Sequence, residues 1–253
     1  MTRFRAFFTA IRNNLFALVL FLVAWAAASL FFPPYIVPSP LAVLRETPVY
    51  FQPAMLHHLF VTLYRVSVGF VIAVCGGTLL AIIAAPLRKT AQLTTLMSLF
   101  EVLPGMIVGI IFLLIFGLGH GVPIGLVAFL TLPAIAINTS GGLAKKNRLL
   151  EDYLRSIGGT RRHILRNIYL PVLVPTLQSN LTMGFSQALK IVILGEFIGS
   201  QDGIGYLLNV AKIYFNMNAV FFHLSIVLLF MLVFQVTQQL LFLLCLGKYF
   251  YAE

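Results

Sequence analysis

The 43 residues from 102 to 144 contain no charged side chain. One helix needs only about 20 apolar residues to cross a bilayer, so the run is twice the length of a single span. Gly117, Gly119, Gly121 and Pro123 fall at its middle, where a turn between two helices would lie. Residues 13–44, 66–87, 167–189 and 213–247 are likewise free of charge. Together these runs predict spans at about 13–32, 61–85, 91–116, 122–143, 172–199 and 220–246. The expected fold class is all-α: a polytopic membrane protein of about six transmembrane helices, with residues 1–253 forming a single transmembrane domain.

Composition excludes the alternatives. Only 9% of residues are charged and 60% are hydrophobic, against about 25% charged in a soluble domain. That leaves too little polar surface for a soluble enzyme, a nucleic-acid-binding domain or a disordered chain. The net charge of +10 therefore reads as topology, and no nucleic-acid partner is expected. With six spans and the N-terminus inside, 13 of the 17 Lys and Arg residues fall on the cytoplasmic side, leaving Arg45 and Lys212 outside and Arg65 and Lys190 within spans. Both termini are expected to be cytoplasmic in a multi-pass protein of the cell (inner) membrane. The first apolar run exceeds the 7–15-residue core of a signal peptide, so it is read as a retained helix.

One segment differs from the rest. Residues 144–171 are polar and basic. Within them, Glu151 to Tyr169 reads as a short amphipathic helix, a Gly-Gly-Thr break, and a second short helix that Pro171 ends. Composition leaves two readings open, an interfacial element lying on membrane lipid or a docking element for a cytoplasmic partner.

The spacing in this segment resembles a known signature. Asp152-Tyr153-Leu154, three residues, Gly158, nine residues and Ile168-Tyr169-Leu170-Pro171 follow the layout of the EAA loop of permease subunits of bacterial ABC importers. Val37-Pro38-Ser39-Pro40, the second-span residues His58-Leu59, Thr62-Leu63, Arg65-Val66 and Gly69-Phe70, and Phe116-Gly117-Leu118-Gly119 are similar to the nitrate/sulfonate/taurine branch. So are Asn138-Thr139 and the stretch from Glu196 to Gly203-Ile204-Gly205. The chain departs from that branch at Asp152, in place of Glu, at Tyr153-Leu154, in place of Ala-Ala, and at Glu101 and Lys190.

The resemblance implies a type I ABC importer permease fold in which residues 144–171 are a cytoplasmic coupling loop. Asp152, Tyr153, Gly158, Gly159, Arg161, Ile168, Leu170 and Pro171 would make or support contact with an ATPase. Glu101, Pro104, Lys190 and Glu196 would lie on the translocation pathway. It implies two ATPase subunits, an extracytoplasmic substrate-binding protein and a second permease copy, giving a homodimer. The cargo would be a small polar organic solute.

Charges at membrane depth are costly unless they meet a partner or water, which singles out Arg65, Glu101, Lys190 and Glu196 on physical grounds as well. Arg65 and Glu196, nearer the outer surface, read better as structural, while Glu101 and Lys190 could pair with each other or line a route. No G-x-x-x-x-G-K-[ST] loop occurs, so the chain holds no cofactor of its own and is not an enzyme; ATP and Mg would be bound by the partner ATPase. No histidine pair has metal spacing with a carboxylate or thiol nearby, so no metal is expected. The alternative, a secondary transporter driven by an ion gradient, would call for inverted repeats with broken helices, and no internal repeat is visible.

Overall fold

The computed structural model describes residues 2–245. Among them every regular element is a helix: α1 (Thr2–Phe31), α2 (Pro40–Tyr50), α3 (Pro53–Ala84), α4 (Thr90–Glu101), α5 (Gly105–Phe116), α6 (Gly121–Ala144), α7 (Arg148–Ser156), α8 (Arg161–Ile164), α9 (Leu170–Gly199), α10 (Ile204–Ile213) and α11 (Met217–Cys245). Five helical stretches are long and apolar enough to cross a membrane, and α4 with α5 makes a sixth bent one. Lys248, one of the 13 basic residues expected on the cytoplasmic side, lies outside the described residues.

The core is α3, α6 and α9. Small residues bring these helices together. A side chain at Gly69 would strike Val127 and the Ile124 carbonyl, and one at Gly77 would strike the Leu132 carbonyl. Gly195 and Gly199 seat Pro123 and Val122 against α9. Close backbone approach of this kind is how membrane helices gain packing energy when lipid is as apolar as their own side chains. Val66, Leu126, Val127, Ile135, Ala188 and Val192 fill the seam. Phe185 of α9 stacks on Phe234 of α11 with centroids 3.6 Å apart, which fixes the last helix to the core.

Pro38 and Ser39 explain the turn into α2. The Pro38 carbonyl accepts the Trp25 indole N–H at 2.8 Å, and the Ser39 hydroxyl accepts the Ala42 N–H, capping a helix whose first residue is Pro40. Trp25 also stacks on Phe221, so α1 is held to α11 at that level.

Two expectations are corrected. The predicted span 91–116 is broken: α4 and α5 meet at 85° across Val102-Leu103-Pro104. Pro104 cannot donate to a continuing α4, and its extended backbone (ψ 121°) turns the chain before α5 starts. Phe129 of α6 sits in the elbow, touching Phe100 on one arm and Phe112 on the other. Pro171, in turn, does not end a helix. α8 passes through a wide π-turn, Leu165–Tyr169, directly into α9, so residues 161–199 form one continuous helical stretch. The wider turn relieves the clash between a proline ring and the carbonyl four residues back.

Candidate functional site

The two ends of the bundle differ in chemistry. At one end the chain turns between α3 and α4 with Arg88 and Lys89, and between α6 and α9 through residues 145–169. This end carries Lys145, Lys146, Arg155, Arg161, Arg162 and Arg166. At the other end lie the start of α3, the start of α6, and the α9–α10 turn.

The basic end is built by caps. Asn147 accepts the Leu150 N–H at 3.1 Å and starts α7 only three residues beyond α6. Gly158, with φ +77°, closes α7 in a conformation that an L side chain resists, while the Gly159 N–H returns to the Leu154 carbonyl at 2.8 Å. Thr160 then caps α8. The result is an exposed helix–turn–helix at the foot of α9.

The expected coupling residues divide by exposure. Asp152, Gly158, Arg161 and Tyr153 face outward, Tyr153 with 60% of its surface free. Gly159 is partly covered. Ile168 is buried at the π-turn, Leu170 is half-buried, and Pro171 is exposed on the first turn of α9.

One residue the sequence reading passed over is Glu151. It is buried, and its carboxylate is bridged by Lys146 Nζ at 2.9 Å and Arg155 Nη2 at 2.8 Å. Arg155 and Lys146 hold the Glu151 carboxyl below its ordinary range in spite of burial. Burial works against the Lys146 charge, but the Tyr169 hydroxyl and Glu151 outweigh it and raise the ammonium pKa. The Glu151–Arg155 spacing of four residues was a readable helical pair.

At the opposite end Arg65 and Glu196 meet. Arg65 Nη1 lies 3.1 Å from Glu196 Oε1, its Nη2 pairs with Asp202, and its Nε donates to His120 Nδ1 at 3.0 Å. Glu196 also accepts from the Thr62 hydroxyl at 2.9 Å and from the Gly205 N–H at 2.9 Å. Glu196, expected on the pathway, is wholly enclosed in this structure, with both oxygens occupied. Thr62, His120 and Asp202 completed a cluster of which only Arg65 and Glu196 were singled out in the sequence. The Arg65-Val66 and Glu196…Gly203-Ile204-Gly205 stretches become one site because α3 and the α9–α10 turn touch there.

Glu101 and Lys190 are the two remaining charged residues at membrane depth among those the sequence singles out. Both are exposed on this chain, and they form no ion pair with each other. α5 runs alongside α9: a side chain at Gly105 would meet Leu194 and one at Gly109 would meet Ile198. Glu101 ends α4 and Pro104 precedes α5 at the elbow, while Lys190 lies one turn before Leu194 on α9.

The chain belongs to the family of binding-protein-dependent transport system inner membrane components, which it matches over residues 77–242. It is thus a permease subunit of an ABC importer; ATP hydrolysis falls to a separate subunit, and transport driven by an ion gradient is displaced as a reading.

It is similar to the formylaminopyrimidine transport permease ThiX of Halalkalibacterium halodurans, 26% identical over 79% of this chain and 80% of the relative. To the riboflavin transport system permease RibX of Chloroflexus aurantiacus it is 28% identical over 88% and 85%. To the taurine transport system permease TauC of Escherichia coli it is 25% identical over 76% and 73%. Among solved structures, inward-facing MetNI, a methionine ABC transporter, matches its fold with a TM-score of 0.62 at 18% identity, covering 74% of this chain and 94% of that one.

Proposed function

We propose that two copies of this chain form the pathway of an importer and that the segment 144–171 is where each ATPase subunit docks, on the cytoplasmic side. The observation that carries this is the continuity of α8, the π-turn and α9. A force applied to the exposed α7–Gly158–α8 surface acts at the foot of a 39-residue helical stretch that runs through the core. Tyr153, Asp152, Ile157 and Arg161 present a mixed apolar and charged face of the kind a protein groove takes. ATP and Mg are bound by the ATPase, and an extracytoplasmic binding protein delivers the solute to the end that carries Arg65 and Asp202. The excess of Lys and Arg at the α7 end supports this orientation, with the N-terminus inside.

The route passes the α4–α5 elbow. Glu101, Pro104 and Lys190 line it at the interface between copies, where charges at this depth avoid lipid. The solute is a small polar organic molecule; carriers of a formylaminopyrimidine, riboflavin and taurine among the relatives support that size class. Closure of the ATPases on ATP swings α7 and α8 and opens the route outward, and hydrolysis resets it. Uptake by proteoliposomes containing the permease, its ATPase and its binding protein tests the reading. Glu101→Gln and Lys190→Gln should each change uptake while the complex assembles normally. Uptake identical to wild type in both variants would remove the elbow from the route.

A further inference from the structure

Resting on that docking reading, we propose that Glu151 is a positioning residue: with Lys146, Arg155 and Tyr169 it forms a clasp that locks α7 to the link leaving α6 and, through Lys146, to the foot of α9, so that movement of the docking segment reaches that core helix.

The geometry closes a triangle. Lys146 follows the last turn of α6, Glu151 and Arg155 lie one turn apart on α7, and Tyr169 ends the π-turn at the foot of α9. The Lys146 ammonium reaches Glu151 Oε2 at 2.9 Å and the Tyr169 hydroxyl at 2.6 Å. It also lies 4.6 Å from the centre of the Tyr169 ring. Arg155 covers the second carboxylate oxygen at 2.8 Å.

Only 11% of the Glu151 side chain and 20% of Lys146 remain exposed, so this pair is shielded in a way that ordinary surface pairs are not, whereas Arg155 closes the clasp from the solvent side with 61% of its side chain free. Without the clasp, α7 would hang between a three-residue link to α6 and a glycine turn to α8. Both are joints about which it could rotate without moving the bundle. With the clasp, rotation of α7 must carry Lys146 and Tyr169 with it.

The residues placed in contact with the ATPase are different ones. Asp152, Tyr153 and Arg161 point outward, whereas Glu151 points inward. Binding and transmission are therefore separable by mutation. A helix that binds its partner but slips at its own base would let ATP be hydrolysed without moving the pathway.

The test uses the full complex in proteoliposomes and reads two quantities: ATPase subunit retained on the purified permease, and solute taken up per ATP hydrolysed. Glu151→Gln should retain the ATPase as wild type does and lower uptake per ATP at least about fivefold, the lower bound for a coupling of this kind. Tyr169→Phe, which deletes one contact of the clasp, should lower it less. The exchanged pair Lys146→Glu with Glu151→Lys should recover part of the ratio.

An unchanged ratio in Glu151→Gln overturns the proposal, and so does loss of ATPase retention, which would make Glu151 a binding residue. If Glu151→Gln does not assemble, Tyr169→Phe decides on the same terms. The docking reading fails separately, if Asp152→Arg with Tyr153→Ala leaves ATPase retention intact.

Discussion

The guanidinium of Arg65 and the carboxylate of Glu196 meet at 3.1 Å with side-chain exposures of 1% and 0%, joining α3 to α9 beside the turn that leads into α10. Asp202 and His120 take three further donors of Arg65, and Thr62 and the Gly205 N–H also donate to Glu196. A buried pair is worth little over apolar residues of similar shape, but leaving one member alone is expensive. Arg65→Ala should therefore cost about 3–5 kcal/mol. The purified subunit should lose monodispersity at a clearly lower temperature on heating. Replacing both residues, Arg65→Met with Glu196→Leu, should recover part of that loss. Equal thermal behaviour of Arg65→Ala and wild type would show that the pair carries no stability.

Gly203 stands at φ +98°, and a side chain there would run into the Glu196 carboxylate. Gly203→Ala combines backbone strain, of order 1–3 kcal/mol, with displacement of the carboxylate. The expected result is a drop in folded yield comparable to that of Arg65→Ala. The combination of the two should be less than additive, because they damage one cluster.

The same cluster gives a pH signature. Burial pushes the Asp202 carboxyl up, but Arg65 more than reverses this and holds it below the ordinary aspartate value of 3.8. Ser200 donates to it, and His57 lies 3.9 Å away. A carboxyl whose folded pKa is depressed contributes stability above its unfolded pKa and loses it as pH falls through the folded value. Thermal stability should fall below about pH 4 in wild type, and Asp202→Asn should flatten that acid limb while leaving neutral-pH uptake near normal. An acid limb unchanged by Asp202→Asn would assign it to other carboxyls.

At the opposite end, Gly158→Pro should uncouple transport. Proline fixes φ near −65°, whereas this residue needs +77°, and it would delete the N–H that reaches the Arg155 carbonyl at 3.2 Å. The subunit should still insert in the membrane, since the spans are untouched, but uptake should fall to near background. Wild-type uptake by Gly158→Pro would show that the turn is not part of the coupling surface.

Much of this was legible because charge in a membrane chain is confined. Charge-free runs located the helices of the bundle, and the Gly158 and Pro171 spacing marked out the segment proposed above for docking. Four things were hidden. The break at 102–104 looks like continuous apolar sequence, because a proline in a span can kink a helix or end it, and only the packing of Phe129 into the elbow decides. α2 and α10 lie beside charged and polar residues and are too short to register as spans. Asp202 and His120 are separated from Arg65 by 137 and 55 positions, so a pattern along the chain could not join them. Glu151 was overlooked for a different reason: the signature drew attention to its neighbour Asp152, which the fold turns outward.

The most direct measurement is site-specific photo-cross-linking in the assembled complex. A photoreactive amino acid at position 153 should join the permease to the ATPase subunit in high yield, and one in the 86–90 turn should do so weakly. Cross-links concentrated at the 86–90 turn, with none from position 153, would contradict the assignment of residues 144–171 as the surface through which ATP drives this permease.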